Sequence, residues 1–566
     1  MLADSEQDAA VAVAAALNIT EPSSTGIGGD MFCLYWDAKT KKVRSLNGSG
    51  RAPKNTTVDQ IRKELDLTSG ERGSIPLDGG LSVTVPGAAA GWCDVVERFG
   101  SGKVTLEQIL TPAIELGENG FPVSELSASF AKWKNGESRL RDASPNFREM
   151  LRRDPNAEHF ARAPRAGEIM QIPTLARTFR TLATEGKKGF YTGRIAKSIV
   201  DVVKMTGGHL ELDDLEDHLN KGSEETTPIH LTFTGQNIGA RQIRESDGSS
   251  AGHTVDLWEH PPNGQGIVAL MALGIFEELE KSRKIRMFAQ EDHNCADYLH
   301  AVIESLRIAL IDASWWVTDS EHSPIKPAEL ISRSYLTERA KLFDAQKAQA
   351  FDHGEPSPAH NHCDTVYFCV TDKEGNGMSF INSVYTGFGS AIIPEGCGFN
   401  LQNRGANFVL GPPDHPNIYA GGKRPYHTII PGLLTHGQGD KRDLHSVFGV
   451  MGGFMQPQGH VQTLLNMEVF GMNPQQALDA PRICIGAGMP EKGALLDMTV
   501  YLEEGIEKST VRSLQQLGHK VQVLQGFSRS TFGRGQIIRR HVDEMTGQVV
   551  WSAGSDPRGD GCAIPA

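Results

Sequence analysis

The sequence predicts a mixed α/β protein, and three observations support this fold class. Segments with apolar residues at helical spacing alternate along the chain with short apolar runs that are typical of β-strands. Glycine is abundant, with 61 residues, and 29 prolines are spread between the segments. No segment repeats at a fixed period. At 566 residues, of which 39% are hydrophobic, the chain is long enough for one very large domain or several smaller ones.

The first predicted elements are a helix and a hairpin. Residues 9–17 are rich in alanine and valine and predict a helix, which gives way to a loop at residues 21–30. Residues 31–37 and 43–47 predict two strands joined by a turn at residues 38–42. We expect the functional site to begin at this loop and hairpin.

Helices dominate the rest of the first half of the chain. Apolar residues recur at helical spacing in residues 87–99, 106–119, 172–185, 267–279 and 292–312. Two polar stretches interrupt this pattern. Residues 234–253 predict an exposed or disordered loop, and residues 352–364 predict a second loop that contains two prolines.

The second polar loop runs directly into a predicted strand at residues 365–370. A turn at residues 372–376, strands at residues 378–384 and 446–450, and a helix after Gly453 follow it. A threonine that heads a strand can, once the preceding peptide bond breaks, use its own α-amine as the general base for its hydroxyl. Thr365 is therefore a candidate nucleophile, although such a threonine is in most proteins only the start of a strand.

Two further features supply what an acyl-transfer site needs. Gly452 and Gly453 lie between an apolar strand and a helix, where bare backbone N–H groups can reach the oxyanion of a tetrahedral intermediate. Ser383 lies on the strand after the turn, and that strand can pair back beside Thr365. Taken singly, these residues are more often a tight turn and a surface serine, so the case depends on their combination.

Three other motifs suggest different chemistry, and each is disfavoured. Residues 248–252 fit the G-x-S-x-G pattern of a serine nucleophile, but the segment before them is polar and charged instead of a buried strand. His360, His362 and Cys363 are metal-ligand types, yet no second cluster at zinc-finger spacing completes the set. Residues 26–29 (GIGG) lack the GxGxxG spacing of a phosphate-binding loop, so a turn or a close backbone approach is favoured.

Composition argues against several classes of partner. The formal net charge is −13 without a basic stripe, which argues against nucleic acid, and no apolar stretch is long enough for a membrane-spanning helix. The eight cysteines are scattered without a CxxC pair, so neither a disulfide framework nor a zinc ribbon is indicated. Residues 1–8 lack a secretory signal and look truncated. Localisation is therefore unknown, and we expect it to be cytoplasmic if the chain is complete.

Several motifs together resemble the γ-glutamyltransferase family, in the family's order. They are TVYFCVTDKEGN at residues 365–376, residues 388–390, GKRP at residues 422–425, Gly452-Gly453 and SDPRG at residues 555–559. The resemblance covers nearly the whole chain, including residues 8–30 and 502–521. It implies an α+β fold, the four-layer αββα sandwich of N-terminal-nucleophile hydrolases. It also implies a precursor that cuts itself into a large subunit, residues 1–364, and a small subunit, residues 365–566.

The same resemblance assigns catalytic roles to four residues. The catalytic threonine of the family matches Thr365, and the threonine that hydrogen-bonds it matches Ser383, which keeps the hydroxyl. The two oxyanion glycines match Gly452 and Gly453. No metal ion and no organic cofactor is implied.

The substrate-binding positions of the family are largely replaced. The family's GRETAP-like stretch, whose arginine binds the substrate α-carboxylate, matches GSGRAP at residues 48–53, where Ser49 takes the arginine position and Arg51 lies two residues on. The other recognition positions are Tyr385, Arg404, Asn407, His427 and Thr428. Asn407 replaces an aspartate, so together with the arginine two charge-assisted contacts of about 1.5–3 kcal/mol each are lost. We expect Arg51 or Arg404 to supply the missing positive charge.

We therefore expect a γ-glutamyltransferase-like amidohydrolase or acyltransferase that cleaves γ-glutamyl or related acidic acyl amides, such as glutathione, through a threonyl acyl-enzyme. One alternative is an amidohydrolase of the oxamate amidohydrolase or cephalosporin acylase type, without γ-glutamyl transfer. Another is a processing-dead homologue with a binding role. The expected partners are a small-molecule amide substrate and the two subunits of one precursor.

Overall fold

Two β-sheets packed face to face lie at the centre of the protein, and helices cover the outer face of each. The computed structural model describes residues 6–236, 254–349, 365–486 and 499–565. Within these residues the layers run helix, sheet, sheet, helix. This order confirms the αββα sandwich that the family resemblance implies.

The helices of the described residues are numbered in chain order. They are α1 (Glu6–Thr20), α2 (Val58–Glu64), α3 (Ala88–Phe99), α4 (Leu106–Asn119), α5 (Glu125–Ala128), α6 (Asn135–Ala143), α7 (Pro173–Tyr191), α8 (Gly193–Met205), α9 (Leu212–Lys221), α10 (Ile267–Lys281), α11 (Ala296–Trp316), α12 (Pro327–Leu330), α13 (Arg333–Ala340), α14 (Met455–Glu468), α15 (Pro474–Asp479) and α16 (Lys508–Gln516). None of the helices described here is both long and apolar enough to cross a lipid bilayer.

The strands are numbered in the same way. They are β1 (Asp30–Asp37), β2 (Lys42–Gly48), β3 (Phe121–Pro122), β4 (Arg152–Arg153), β5 (Ala161–Arg162), β6 (Ile169–Met170), β7 (Glu224–Thr226), β8 (Ile229–Phe233), β9 (Val255–Glu259), β10 (Val366–Thr371), β11 (Gly377–Ser383), β12 (Gly432–His436), β13 (Asp443–Met451), β14 (Ile483–Ile485), β15 (Val500–Glu503), β16 (Val521–Leu524), β17 (Arg534–Val542) and β18 (Val549–Ser555).

Both central sheets draw strands from each side of residue 365. The first sheet has the strand order β10–β11–β1–β2–β7, and the second has the order β18–β17–β13–β12–β9–β8. Neighbouring strands in both sheets are antiparallel. In the first sheet β10 and β11 follow residue 365 and the other strands precede it, whereas in the second sheet only β8 and β9 precede it.

Side chains along β1 show how the layers are held together. Cys33 and Tyr35 pack with the helical layer that α1, α3, α4, α7 and α8 form over the first sheet. Leu34 and Trp36 point the other way and pack with residues of β9, β12 and β13 in the second sheet. Because successive side chains of a strand face opposite sides and both sides of β1 are covered, the strand is apolar at nearly every position.

Several of the predicted elements are confirmed at or near their predicted bounds. α4 begins and ends at the predicted residues, since Thr105 caps its first turn and exchanges hydrogen bonds with Gln108 in a capping box. β10 begins at Val366, one residue later than predicted. α7 is interrupted at Gly186, whose φ of 59° is not helical, so its first segment ends at the predicted residue 185 and a second short segment continues to Tyr191.

The predicted exposed loop at residues 234–253 is wrong for Gly235 and Gln236, which are buried, whereas Thr234 is exposed as predicted. The Thr234 amide donates to Glu277 Oε1 at 3.1 Å, and Gln236 is only 4% exposed. Gln236 Oε1 accepts from the Phe288 amide at 2.7 Å, so the buried polar side chain is satisfied by the backbone. The rest of this loop, like the predicted loop at residues 352–364, lies outside the described residues.

Candidate active site

Three neighbouring strands of the first sheet each bring one polar side chain to the same edge. β10 begins directly after Thr365, β11 ends at Ser383, and β1 begins at Asp30. Asp30 pairs directly with Ser383 in the β1–β11 ladder. Val366 pairs with Asn382 in the β10–β11 ladder, which brings Thr365 to the same level. The three side chains therefore lie side by side across three strands.

The hydroxyl groups of Thr365 and Ser383 are in contact. Thr365 is fully buried, and its Oγ1 donates to Ser383 Oγ at 3.2 Å. Ser383 Oγ also accepts from the Tyr385 amide at 2.8 Å and from Arg404 Nη2 at 3.2 Å. Because these two groups can only donate, the Ser383 hydroxyl hydrogen is able to turn to Thr365 once Thr365 loses its own proton. The arrangement suits a threonine that acts as a nucleophile.

Arg404 is a buried cation in direct contact with Ser383. Its Nη1 donates to Thr428 Oγ1 at 2.9 Å, and its guanidinium carbon lies 4.7 Å from the centre of the Tyr385 ring. Tyr385 has a φ of 82°, a conformation that costs a non-glycine residue about 1–3 kcal/mol. Its hydroxyl donates to Asn407 Oδ1 at 2.6 Å, which helps to hold the ring in this position. The structure thus brings four of the predicted substrate-binding residues around Ser383.

Asp30 and His427 form a buried pair beside Arg404. His427 Nε2 lies 3.1 Å from Asp30 Oδ2, and Arg404 Nε lies 3.8 Å from the same oxygen. Asp30 Oδ1 accepts from the amides of Gly50 and Gly87, at 2.9 and 3.1 Å. Burial raises the pKa of the Asp30 carboxyl above its usual value, and the Arg404 guanidinium acts in the opposite direction. Burial and the charge of Arg404 hold the pKa of His427 well below its usual value, so this imidazole is neutral near pH 7.

Gly452 and Gly453 form the turn between β13 and α14. Their φ angles are 129° and 59°, which glycine adopts without steric cost. Their carbonyl oxygens accept from amides in the first turn of α14. Gln265 Nε2 donates to the carbonyl oxygens of Gly453 and Thr428, at 2.8 and 2.7 Å. One side chain therefore ties this turn, at the positive end of the α14 dipole, to the residue that binds Arg404.

Arg51 is a predicted site residue whose side chain takes part in none of the hydrogen bonds and ion pairs described above. It follows Gly50, whose amide donates to Asp30. Its side chain is partly buried, and its Nη1 atom is buried without a hydrogen-bond partner among the described residues. Burial and repulsion from Arg424 lower the pKa of the Arg51 guanidinium, which stays charged near pH 7 because an arginine pKa is so high.

The GIGG run at residues 26–29 packs against backbone of the chain itself. A β-carbon on Gly28 would lie 2.2 Å from the Asn400 carbonyl oxygen, and one on Gly29 would lie 2.2 Å from the Ser383 carbonyl oxygen. The Gly29 carbonyl in turn accepts from the Gly87 amide at 2.9 Å. The expected close backbone approach is confirmed. Gly29 packs directly against the Ser383 carbonyl and so helps to fix the Ser383 backbone.

A group of candidate metal ligands in the described residues is separate from the residues around Thr365. Three side chains bring potential ligand atoms within 4.8 Å of one another, namely His300, Glu304 and His519. Arg307 Nη1 lies 3.1 Å from His519 Nδ1 and donates to Glu304 Oε1 at 2.8 Å, while His300 Nδ1 lies 2.8 Å from His519 Nε2. This group does not fit a metal ion, because a guanidinium already fills the cationic position. The serine motif at residues 248–252 and the cluster at residues 360–363 lie outside the described residues.

Sequence patterns did not single out Asp30 or Gln265. A charged side chain at the start of an otherwise apolar strand is the signal that points to Asp30, because a buried carboxylate requires partners. Gln265 precedes α10 in the segment PPNGQG and carries no comparable signal. Its role depends on contacts with residues that are far away in sequence.

Comparison with known proteins places this geometry among N-terminal-nucleophile hydrolases. The profile of the family described as gamma-glutamyltranspeptidase matches residues 5–566. A glutathione hydrolase-like proenzyme of Bacillus subtilis is 31% identical over 562 residues, covering 98% of this chain and 93% of the relative. An oxamate amidohydrolase proenzyme of Klebsiella pneumoniae is 29% identical over 560 residues, again covering 98% and 93%. The crystal structure of a cephalosporin acylase from Bacillus halodurans matches with a TM-score of 0.80 and 35% identity, covering 98% of this chain and 90% of that one.

Proposed function

Because this chain belongs to the gamma-glutamyltranspeptidase family, we propose that it is an amidohydrolase whose nucleophile, Thr365, is freed by self-cleavage of the Asp364–Thr365 bond. The family and the proenzyme names of its relatives support a precursor that is cut into two subunits. The contact that carries the proposal is the one between Thr365 Oγ1 and Ser383 Oγ. The cut would separate residues 1–364 from residues 365–566.

Self-cleavage uses the Thr365 hydroxyl against its own peptide bond. Thr365 Oγ1 attacks the carbonyl carbon of Asp364, the C–N bond breaks, and the nitrogen takes up a proton to become the free α-amine. The acyl group is then held as an ester, which water hydrolyses to leave a carboxylate on Asp364 and a hydroxyl on Thr365. No group outside the chain except water is consumed.

The mature site repeats this chemistry on a substrate amide. The α-amine of Thr365 accepts the hydroxyl proton while Oγ1 attacks the substrate carbonyl carbon. Backbone N–H groups of Gly452 and Gly453 stabilise the oxyanion, and Ser383 donates to the threonine oxygen as its proton leaves. The leaving amine takes up the proton, and water then releases the acyl group as a carboxylic acid.

We propose that the acyl group is small and acidic and has no requirement for an α-ammonium. An ammonium group needs a carboxylate partner when it is buried. Asp30 is the carboxylate beside Arg404, and its oxygens already face His427, Arg404 and two backbone amides. Asn407, at the position where the family resemblance implies an aspartate, is neutral and accepts from the Tyr385 hydroxyl.

Two anilides that differ only in the ammonium group test this selectivity. We expect kcat/KM for glutaryl-p-nitroanilide to exceed that for γ-glutamyl-p-nitroanilide by about tenfold or more, because a single unpaired contact of about 1.4 kcal/mol has that effect. Release of nitroaniline is followed on the cleaved protein, and ammonia release from oxamate measures whether a shorter acyl group is accepted. A preference for the γ-glutamyl anilide would instead support γ-glutamyl hydrolysis, the second candidate, which the name of the Bacillus subtilis relative favours.

Arg51 is the stronger candidate for binding the acyl carboxylate. Its buried Nη1 has no hydrogen-bond partner among the described residues, whereas Arg404 is engaged by Ser383, Thr428 and Asp30. A charge-assisted contact contributes about 1.5–3 kcal/mol. We therefore expect Arg51→Gln to raise KM for glutaryl-p-nitroanilide by about tenfold or more.

A neutral substrate and a matched variant separate this effect from a general loss of structure. Butyryl-p-nitroanilide has no terminal carboxylate, so Arg51→Gln is expected to leave its kinetics unchanged. Arg44→Gln removes an arginine whose partner is Glu225 on the surface, and it is expected to leave both substrates unaffected. An equal loss on the glutaryl and butyryl anilides would exclude Arg51 as the carboxylate-binding residue.

A further inference from the structure

In the hydrogen bonds described above, the Asp30 side chain contacts neither Thr365 nor Ser383. It does lie against His427 and Arg404, and Arg404 donates to Ser383. We propose that Asp30 is a positioning residue, which fixes Arg404 against Ser383 Oγ and so sets the position of the hydroxyl that assists the nucleophile. This inference rests on the proposed role of Thr365. It assigns a function to a side chain that the chemistry above does not itself use.

The two carboxylate oxygens of Asp30 have different partners. Oδ1 accepts from the amides of Gly50 and Gly87, which anchors the carboxylate to the backbone of two separate loops. Oδ2 faces the side chains of His427 and Arg404. Because the backbone amides fix the plane of the carboxylate, Oδ2 presents a fixed negative charge to the guanidinium.

Arg404 needs this charge more than an arginine on the surface does. Its side chain is fully buried, and the hydroxyls of Ser383 and Thr428 that accept from it are neutral. A buried cation without a counter-charge is strongly unfavourable, and removing one partner of such a pair leaves the other to move or to recruit water. Loss of the Asp30 charge would therefore displace the guanidinium from Ser383.

His427 does not replace Asp30 as the counter-charge. The Ile429 amide lies 3.5 Å from His427 Nδ1 and points its hydrogen there, so the ring hydrogen belongs on Nε2, facing Asp30. A neutral imidazole in this tautomer donates to the carboxylate and carries no negative charge. The other titratable groups that act on Asp30 are His218 on α9 and Tyr191 on α7, and neither is an anion near pH 7.

A double-mutant cycle on self-cleavage tests the proposal without a choice of substrate. The rate is followed on a denaturing gel for the full chain with Asp30→Asn, Arg404→Met and both substitutions together. Each single substitution is expected to slow cleavage roughly 100-fold, as a misplaced reacting group does. If Asp30 acts through Arg404, the double variant is no more than about threefold slower than the slower single variant. Effects that multiply, to about 10⁴-fold, would overturn the inference.

The double variant, which lacks both charges, keeps the proposal testable if the Asp30→Asn variant does not fold. If Asp30→Asn alone does not give folded protein, restoration of folding by added Arg404→Met supports the charge pairing, and equal failure of both contradicts it. Asp37→Asn, at the other end of β1, removes a carboxylate that accepts from two amides of the hairpin turn, and it is expected to leave the rate unchanged.

The pH profile of self-cleavage is a second test. If Asp30 had a purely structural role, its replacement would not change the shape of this profile. In the precursor the nitrogen of Thr365 is part of a peptide bond and does not titrate. Since burial raises the pKa of Asp30, protonation of this carboxyl as pH falls should slow the wild-type protein, and Asp30→Asn should lack this acidic limb. An unchanged acidic limb in Asp30→Asn overturns the inference. Retained cleavage in Thr365→Ala would instead show that the proposed function itself is wrong.

Discussion

Replacement of Thr365 with alanine is expected to abolish both cleavage of the precursor and turnover of any anilide. The alanine variant lacks the oxygen that attacks the peptide bond, so the chain should migrate as a single band of full length. Loss of a nucleophile in a comparable acyl-transfer enzyme costs roughly 10⁶-fold in kcat, so no activity above about 10⁻⁴ of wild type is expected. Thr365→Ala is therefore the substitution with the largest expected effect on function.

The position of the cut is checked by sequencing the small subunit of the wild-type protein. We expect its first residue to be Thr365, while a first residue of Cys363 would point to a cysteine nucleophile. Thr371→Ala, at the other end of β10, is the matched control and should cleave and turn over normally. Normal turnover by uncut wild-type chain would contradict the role of the α-amine.

Gly29→Ala is expected to have the largest effect on folding. A β-carbon at Gly29 would lie 2.2 Å from the carbonyl oxygen of Ser383, and the contact is with backbone, which cannot rotate away as a side chain does. The methyl group must push the end of β11 or the segment before β1 out of place. We expect a loss of about 3 kcal/mol or more in the free energy of unfolding, together with loss of self-cleavage.

Gly387→Ala tests whether the effect comes from the contact. Gly387 has open space where a β-carbon would lie and a φ outside the left-handed region, so its alanine variant should fold and cleave as wild type does. Thermal unfolding of uncleaved protein, in the Thr365→Ala background, compares the two glycine variants without interference from processing. Equal melting temperatures for both would contradict the proposed packing of Gly29 against Ser383.

Local signals in the sequence were enough to predict many of the elements. The capping box of Thr105 and Gln108 defines the start of α4, and the apolar run at residues 31–37, followed by the turn at residues 38–42, predicts the hairpin of β1 and β2. The turn after β10 predicts that β11 returns beside it, and the structure places the Ser383 hydroxyl next to Thr365 as that pairing requires. Each of these inferences involves residues that are close in sequence.

The remaining features depend on contacts between distant parts of the chain. β1 lies between β2 and β11, and no local pattern predicts that a strand near residue 30 is inserted beside one near residue 380. The partners of Asp30 come from four separate segments of the chain, at Gly50, Gly87, Arg404 and His427, so its charge could be noticed in the sequence but not explained. The same applies to Arg51 and Arg404, which the sequence left as equivalent sources of positive charge and which differ in the structure by their hydrogen bonds.

Each central sheet joins a block of strands from before residue 365 to a block from after it, and this has a consequence for how the protein folds and how it loses activity. With Thr365 as the proposed nucleophile, the precursor would have to complete its long-range pairing as a single chain before the Thr365 hydroxyl is in position to cut. After the proposed cut, unfolding would release two polypeptides, and their reassociation would depend on concentration because no covalent link holds the strand ends together. Cleaved enzyme that is denatured in dilute solution is thus expected not to recover its activity, so the lifetime of the active form is set by its rate of unfolding and not by an equilibrium.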